Sequence, residues 1–169
     1  MKKNVVAAAM AMALVSFGVN AADQGQGIVK FKGTVIDAPC SIAQGSEDQS
    51  INFGSISKSH LNADGISQKK DLDIMLINCE PNKSVEVTFT GQTIAGATTE
   101  LGTAGDTGTA VMISGQDGKF VEFGTKGGAQ ALKAGDNTLH YSTWVKKATN
   151  GTVKEGAFTA VANFNLTYN

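Results

Sequence analysis

Apolar and polar positions alternate most regularly over residues 156–169. Every even position from Phe158 to Tyr168 is apolar (Phe158, Ala160, Ala162, Phe164, Leu166 and Tyr168), while Thr159, Asn163, Asn165 and Thr167 fall on odd positions. A strict period of two predicts a strand with one buried face. Two readings are open for its outer edge. It is an ordinary terminal strand between neighbours, or its edge stays unpaired beside an apolar ribbon that a partner must close.

Alternation returns over residues 25–36. Gly27, Val29, Phe31, Gly33 and Val35 share one face, against Gln26, Ile28, Lys30, Lys32 and Thr34. Residues 23–27 are polar and rich in glycine, so a mobile arm is expected to lead into an amphipathic strand. Further strands are predicted at 50–54, 71–79, 85–89, 109–114, 119–123 and 137–147, each bounded by turn signals. In 71–79 the alternation sets Leu72, Ile74, Leu76 and Asn78 against Asp71, Asp73, Met75, Ile77 and Cys79. Residues 57–70 read as a polar connection turning at Asp64-Gly65, and 91–108 as a long loop of low hydrophobicity. With long helical patterns absent and only two prolines, the fold class is all-β, a sandwich or barrel.

The N-terminus changes the picture of where this domain folds. Lys2 and Lys3 precede an apolar run from Val5 to Phe17, followed by small residues, the signature of a secretory signal peptide. Cleavage is expected after Ala21, with Ala22 as the alternative, leaving about 147 residues, enough for one core. The two cysteines, Cys40 and Cys79, then sit in an exported chain and are expected to form a disulfide. Closing such a loop stabilises a fold by about 4 kcal/mol.

Charge and motifs narrow the chemistry. The formal net charge is -1 and the charges are scattered, so neither nucleic acid nor an anionic membrane is an expected partner. His60 and His140 lie in no metal-ligand spacing, and His140 reads as a strand residue. Trp144, on the same strand face, reads as core rather than as a sugar platform. Gly102, Gly105 and Gly108 lack the Lys-Ser/Thr and the helix of a phosphate cradle. No nucleophile motif occurs, so neither catalysis nor a cofactor is expected.

These stretches together resemble the pilin subunits assembled by the chaperone–usher pathway on Gram-negative surfaces, and within that family the rod subunits of P pili. The likeness runs through KFKGTVIDAPCSI (30–42), DQSINFG (48–54), LDIMLINC (72–79), LHYSTWVKK (139–147) and EGAFTAVANFNLTYN (155–169). Gly156, fourteen positions from the end, and the penultimate Tyr168 match the family's C-terminal motif. The resemblance implies an incomplete immunoglobulin-like sandwich that lacks its final strand and carries an N-terminal donor-strand extension. Residues 1–21 would be the signal peptide, 22–33 the extension and 34–169 the pilin domain.

In that family strand addition at a sheet edge holds the subunit, first from a periplasmic chaperone and then from the next subunit. The resemblance therefore implies a donor presenting Gly27, Val29, Phe31 and Gly33. It implies an acceptor groove and chaperone-binding strand comprising Gly156, Phe158, Ala162, Phe164, Leu166, Tyr168 and Asn169, with a first strand near Val35 completing the lining. The carboxylate on Asn169 would be held by the chaperone. The implied partners are identical subunits in a head-to-tail filament, the chaperone, an outer-membrane usher and neighbouring minor pilins. The implied destination is an extracellular pilus reached through the periplasm. A minor adaptor or terminator pilin is the alternative, as is a secreted binding module of another class. A tip adhesin would carry an extra lectin domain, for which this chain has no room.

Overall fold

The computed structural model describes residues 27–169. The expected signal peptide and the start of the expected arm therefore lie outside the described residues. The chain divides into two units, one ending at Val35 and one spanning Ile36–Asn169. In the first, residues 27–35 form no strand, and Val29, Phe31 and Val35 are exposed. The strand expected over 25–36 is thus not formed where it is described, and there is no first strand near Val35. Alternation gives a strand its faces, but backbone pairing holds it, and this segment has no partner ladder.

The second unit is built from β1 (Ser41–Ile42), α1 (Lys58–Asn62), β2 (Lys70–Cys79), β3 (Ser84–Gly91), β4 (Thr93–Ile94), β5 (Ala97–Gly102), β6 (Thr109–Gly115), β7 (Gln130–Ala131), β8 (Gly135–Lys147) and β9 (Ala162–Tyr168). All pairings are antiparallel. One sheet has the order β1-β2-β8-β6-β5-β4 and the other β7-β3-β9. Of the four outermost strands, β1, β4 and β7 are only two residues long, while β9 has seven. Short edges of this kind leave little backbone for unwanted pairing.

The core lies between the sheets. Ile74 and Leu76 of β2, Leu139, Tyr141 and Val145 of β8, and Val111 and Ile113 of β6 face Val85, Val87 and Phe89 of β3. Phe89 crosses the interface to meet Tyr141 edge-on, with ring centroids 5.0 Å apart. Each fully buried side chain of this size contributes about 1.5–3 kcal/mol. The outer face of the larger sheet carries Trp144, which is buried by Phe120 at 5.9 Å and by the Lys69 ammonium at 4.6 Å. His140 is exposed and contacts Asp73 at 2.8 Å.

Several expected elements take another form for local reasons. Residues 50–54 make no strand, because the Asn52 side chain accepts the Gly54 N–H at 2.8 Å and curls the backbone. Residues 119–123 contribute a single bridge, Ser114 to Phe120, between turns at Gly118 and Gly124. The expected loop 91–108 instead holds the β4–β5 hairpin, turned at Gly96. The connection 57–70 contains α1, capped by Ser57 and anchored by buried Leu61. Cys79, expected opposite Ile74 and Leu76, is buried with them. Asn78 adopts φ 55 and the β2–β8 register shifts between Leu76 and Cys79, which rotates the chain inward. Cys79 there bonds Cys40, with 4.2 Å between Cα atoms.

Candidate functional site

The last strand is covered on one side only. β9 pairs with β3 in the register Val85 to Tyr168, Val87 to Leu166 and Phe89 to Phe164. These pairs share one face, yet Val85, Val87 and Phe89 are 0, 2 and 3 % exposed while Phe164, Leu166 and Tyr168 remain half-buried. Since among the described residues no further strand lies beyond β9, the difference measures missing cover. The missing cover leaves an open groove between the two sheets.

That groove has a volume of about 740 Å³. Its floor is Leu72, Phe89, Leu101, Val111 and Ile113, one wall is residues 158–164, and the other is residues 46–51 with Phe53. Thr143 also lines it, but its hydroxyl donates to the Met112 carbonyl at 2.8 Å. Among the described residues no buried side-chain nitrogen or oxygen lacks a partner, so the floor offers no unmet polar hook. An apolar, elongated occupant fits this surface better than a polar small molecule. Nor do the described residues group three His, Cys, Asp or Glu side chains about a metal position.

The wall at 157–161 is not part of the strand, although alternation extended it to Phe158. β3 ends at Gly91, opposite Ala162, so earlier residues have no ladder to join. They are fixed instead from the other sheet, through Ala104 N–H to the Thr159 carbonyl at 2.8 Å. Glycine permits this approach. Gly105 adopts φ 103 with its Cα against the Ala157 carbonyl, where a Cβ would collide, and Gly156 adopts φ 152 beside the Thr107 methyl. The glycines that lacked the parts of a phosphate cradle are thus the means by which one chain segment closes on another.

The expected acceptor residues are distributed along this feature. Phe158, Ala162 and Phe164 line the groove, and Gly156 with Phe158 lines an adjoining hollow of about 400 Å³. Leu166 and Tyr168 pack on the core further along β9, outside the groove lining, and burial pushes the Tyr168 phenol up. Asn169 exchanges backbone hydrogen bonds with Ser84 at 3.0 and 3.1 Å. On the outward face of β3, Lys126 at 3.2 Å and Asn169 hold Glu86 below the usual carboxylate range. Of the expected donor residues, Gly27, Val29, Phe31 and Gly33 are exposed. Sequence reasoning missed the floor residues as a set and the rim residues Glu47 and Asp48. The alternation grouped Leu72 with Ile74 and Leu76 on one face, but which strands sit beyond the end of β9 depends on the sheet order.

Comparison with known proteins places this geometry. A family model described as fimbrial protein matches residues 29–169. The Pap fimbrial major pilin protein of Escherichia coli is 52% identical, with 99% of this chain and 100% of the relative aligned. The crystal structure of the P pilus rod subunit PapA superposes with a TM-score of 0.75 at 49% identity, over 78% of this chain and 100% of that one. A chaperone–usher pilus structure that addresses rod uncoiling matches with a TM-score of 0.82 at 52% identity, over 86% and 97% of the two chains. With the family model spanning nearly all of the described residues and relatives of this identity aligned over almost the whole chain, this chain belongs to the fimbrial protein family.

Proposed function

We propose that this chain is the repeating rod subunit of a chaperone–usher pilus and that it polymerises head to tail by strand donation. One observation carries the reading: β9 is paired on a single edge, with its apolar face half-buried beside a groove of about 740 Å³. The arm at residues 22–33 would supply the missing strand to a neighbour, with Gly27, Val29, Phe31 and Gly33 facing the groove. Main-chain bonds would complete the ladder and alternate side chains would fill the pockets. Because donor and acceptor are different surfaces, the contact is heterologous and generates a filament.

Before assembly the same edge needs cover, which a periplasmic chaperone would lend, delivering the subunit to an outer-membrane usher. The signal peptide at 1–21 and the disulfide between Cys40 and Cys79 suit passage through an oxidising periplasm to the cell surface. The role is structural rather than catalytic. High identity to a major pilin favours the rod over an adaptor or terminator subunit.

Sheared surface fibres test this directly. Mass spectrometry should find this chain as their dominant protein, and Gly27→Leu should abolish fibres while leaving a soluble subunit bound to chaperone. Normal fibres from Gly27→Leu would rule out this donor assignment, and scarcity in wild-type fibres would indicate an adaptor.

A further inference from the structure

The groove is apolar along its floor but not at its rim. Glu47 and Asp48 are the only charged side chains that line it among the described residues, and both are exposed. Among the described residues neither takes part in an ion pair. They are nevertheless held in place. Buried Ser46 accepts the Met75 N–H at 3.0 Å through its hydroxyl, and its own N–H donates to the Ala43 carbonyl at 2.9 Å. On the other side, the Gln49 amide donates to the Asp73 carbonyl at 2.9 Å and to the Ser46 carbonyl at 3.3 Å. Two adjacent acidic residues thus stand between two tethers to β2, with no ionic partner among the described residues.

The arm has the opposite sign. Within residues 27–36 the only charged side chains are Lys30 and Lys32. They alternate with Val29 and Phe31, so any strand that turns those apolar residues to the floor turns both lysines outward. Their Cα atoms are then about 7 Å apart, and each flexible stem can carry its ammonium to the rim.

We propose that Glu47 and Asp48 receive Lys30 and Lys32 of a second copy of this chain, setting the register of the incoming arm and speeding its capture. This rests on the strand-acceptor reading above and adds a specificity element to it. A slip of one residue would put lysines on the apolar floor, which burial of charge forbids. A slip of two residues keeps every side chain on its proper face. Only a feature with a longer period than the alternation resists it, and the acidic pair is one. Exposed ion pairs are each worth up to about fivefold in an equilibrium constant. Salt screens them, since the Debye length falls from about 30 Å at ~0.01 M to about 3 Å at ~1 M.

The test uses the full chain with its disulfide intact, diluted from denaturant into an excess of fluorescent peptide covering residues 23–34, with capture followed by anisotropy. Capture of the unaltered peptide should be about tenfold faster at ~0.02 M than at ~0.5 M salt. The Lys30→Glu/Lys32→Glu peptide should lose that advantage, and the chain carrying Glu47→Lys/Asp48→Lys should prefer the reversed peptide. Equal capture of both peptides at low salt, or an unchanged preference in the reversed chain, overturns the inference. Should capture still be lost in a Phe31→Ala peptide, the strand-acceptor reading survives that result. If no peptide is captured at either salt, the acceptor reading and the inference fall together.

Discussion

Moving residues 22–33 from the front of the chain to a position behind Asn169, through a short glycine linker, should make the subunit its own donor. The gain can be estimated from the side chains. Phe31 is 90 % exposed and Val29 is 74 % exposed. Full burial of such residues contributes about 1.5–3 kcal/mol each, so together they should supply about 4 kcal/mol before any new ladder bonds are counted. For a domain of this size each kcal/mol shifts the melting temperature by about 2–4 °C, which predicts a rise of about 10 °C over the chain without its arm. Phe31→Ala within the transplanted segment should then remove about 3 kcal/mol, most of that rise. Circular dichroism melts with sedimentation velocity would read both changes. The rearranged chain should sediment as a monomer while the armless one aggregates. Equal melting of the two, or a Phe31→Ala change costing less than about 0.5 kcal/mol, would refute the claim that the groove takes this face of the arm.

Other consequences can be checked singly. Burial alone would raise the Glu100 carboxyl, but Lys146 at 2.5 Å and the Thr149 amide and hydroxyl at 2.8 and 2.7 Å outweigh it and hold the group below its ordinary 4.5. Its folded pKa being depressed, the stability it confers should be present above about pH 4.5 and vanish as pH falls through the lower folded value. Urea titrations should show Glu100→Gln costing about 1–3 kcal/mol at pH 7 and narrowing the gap to wild type in acid. Reduction of the Cys40–Cys79 bond, which spans 39 positions, should cost about 4 kcal/mol in a denaturant melt at constant pH. Gly105→Val should destabilise by about 2 kcal/mol or more, because φ 103 is strained for valine and the branch meets the Ala157 carbonyl; a melt unchanged from wild type would contradict that geometry.

What could be read from the sequence was whatever a period of two encodes. The buried faces of β2 and β3 followed directly, with Ile74, Val85 and Val87 inside, and so did the apolar side of β9; in β8 the pattern pointed to the face of Trp144, whereas Leu139, Tyr141 and Val145 turn inward. Where backbone geometry departs from alternation, the pattern misled. Cys79 lies inward only because Asn78 turns the strand, and residues 157–161 leave the ladder because β3 has ended. The β4–β5 hairpin escaped notice since β5 buries Glu100 and Leu101 in succession, which breaks the alternation. The Glu100 carboxylate is stabilised there by Lys146 and Thr149, partners that are distant in sequence. In the groove, the wall at Phe158 and Phe164 was legible from one segment. The floor was not, because Leu72, Leu101 and Ile113 meet only through the order of strands in the larger sheet.

The two-residue edge strands limit what can be built from this subunit. β1 and β4 end the larger sheet, and beyond β3 the short β7 is continued by bonds from Gly124, Gly127 and Leu132. Among the terminal strands, β9 is therefore the one that offers a long unpaired edge. In the language of polymer chemistry, a molecule with one such acceptor and one donor arm is an A–B monomer of functionality two. Monomers of that kind condense into unbranched chains or closed rings and have no gel point, since branching needs a third reactive end. Lengthening β1 or β4 into an adhesive edge would supply that end, and the product would pass from thread to network.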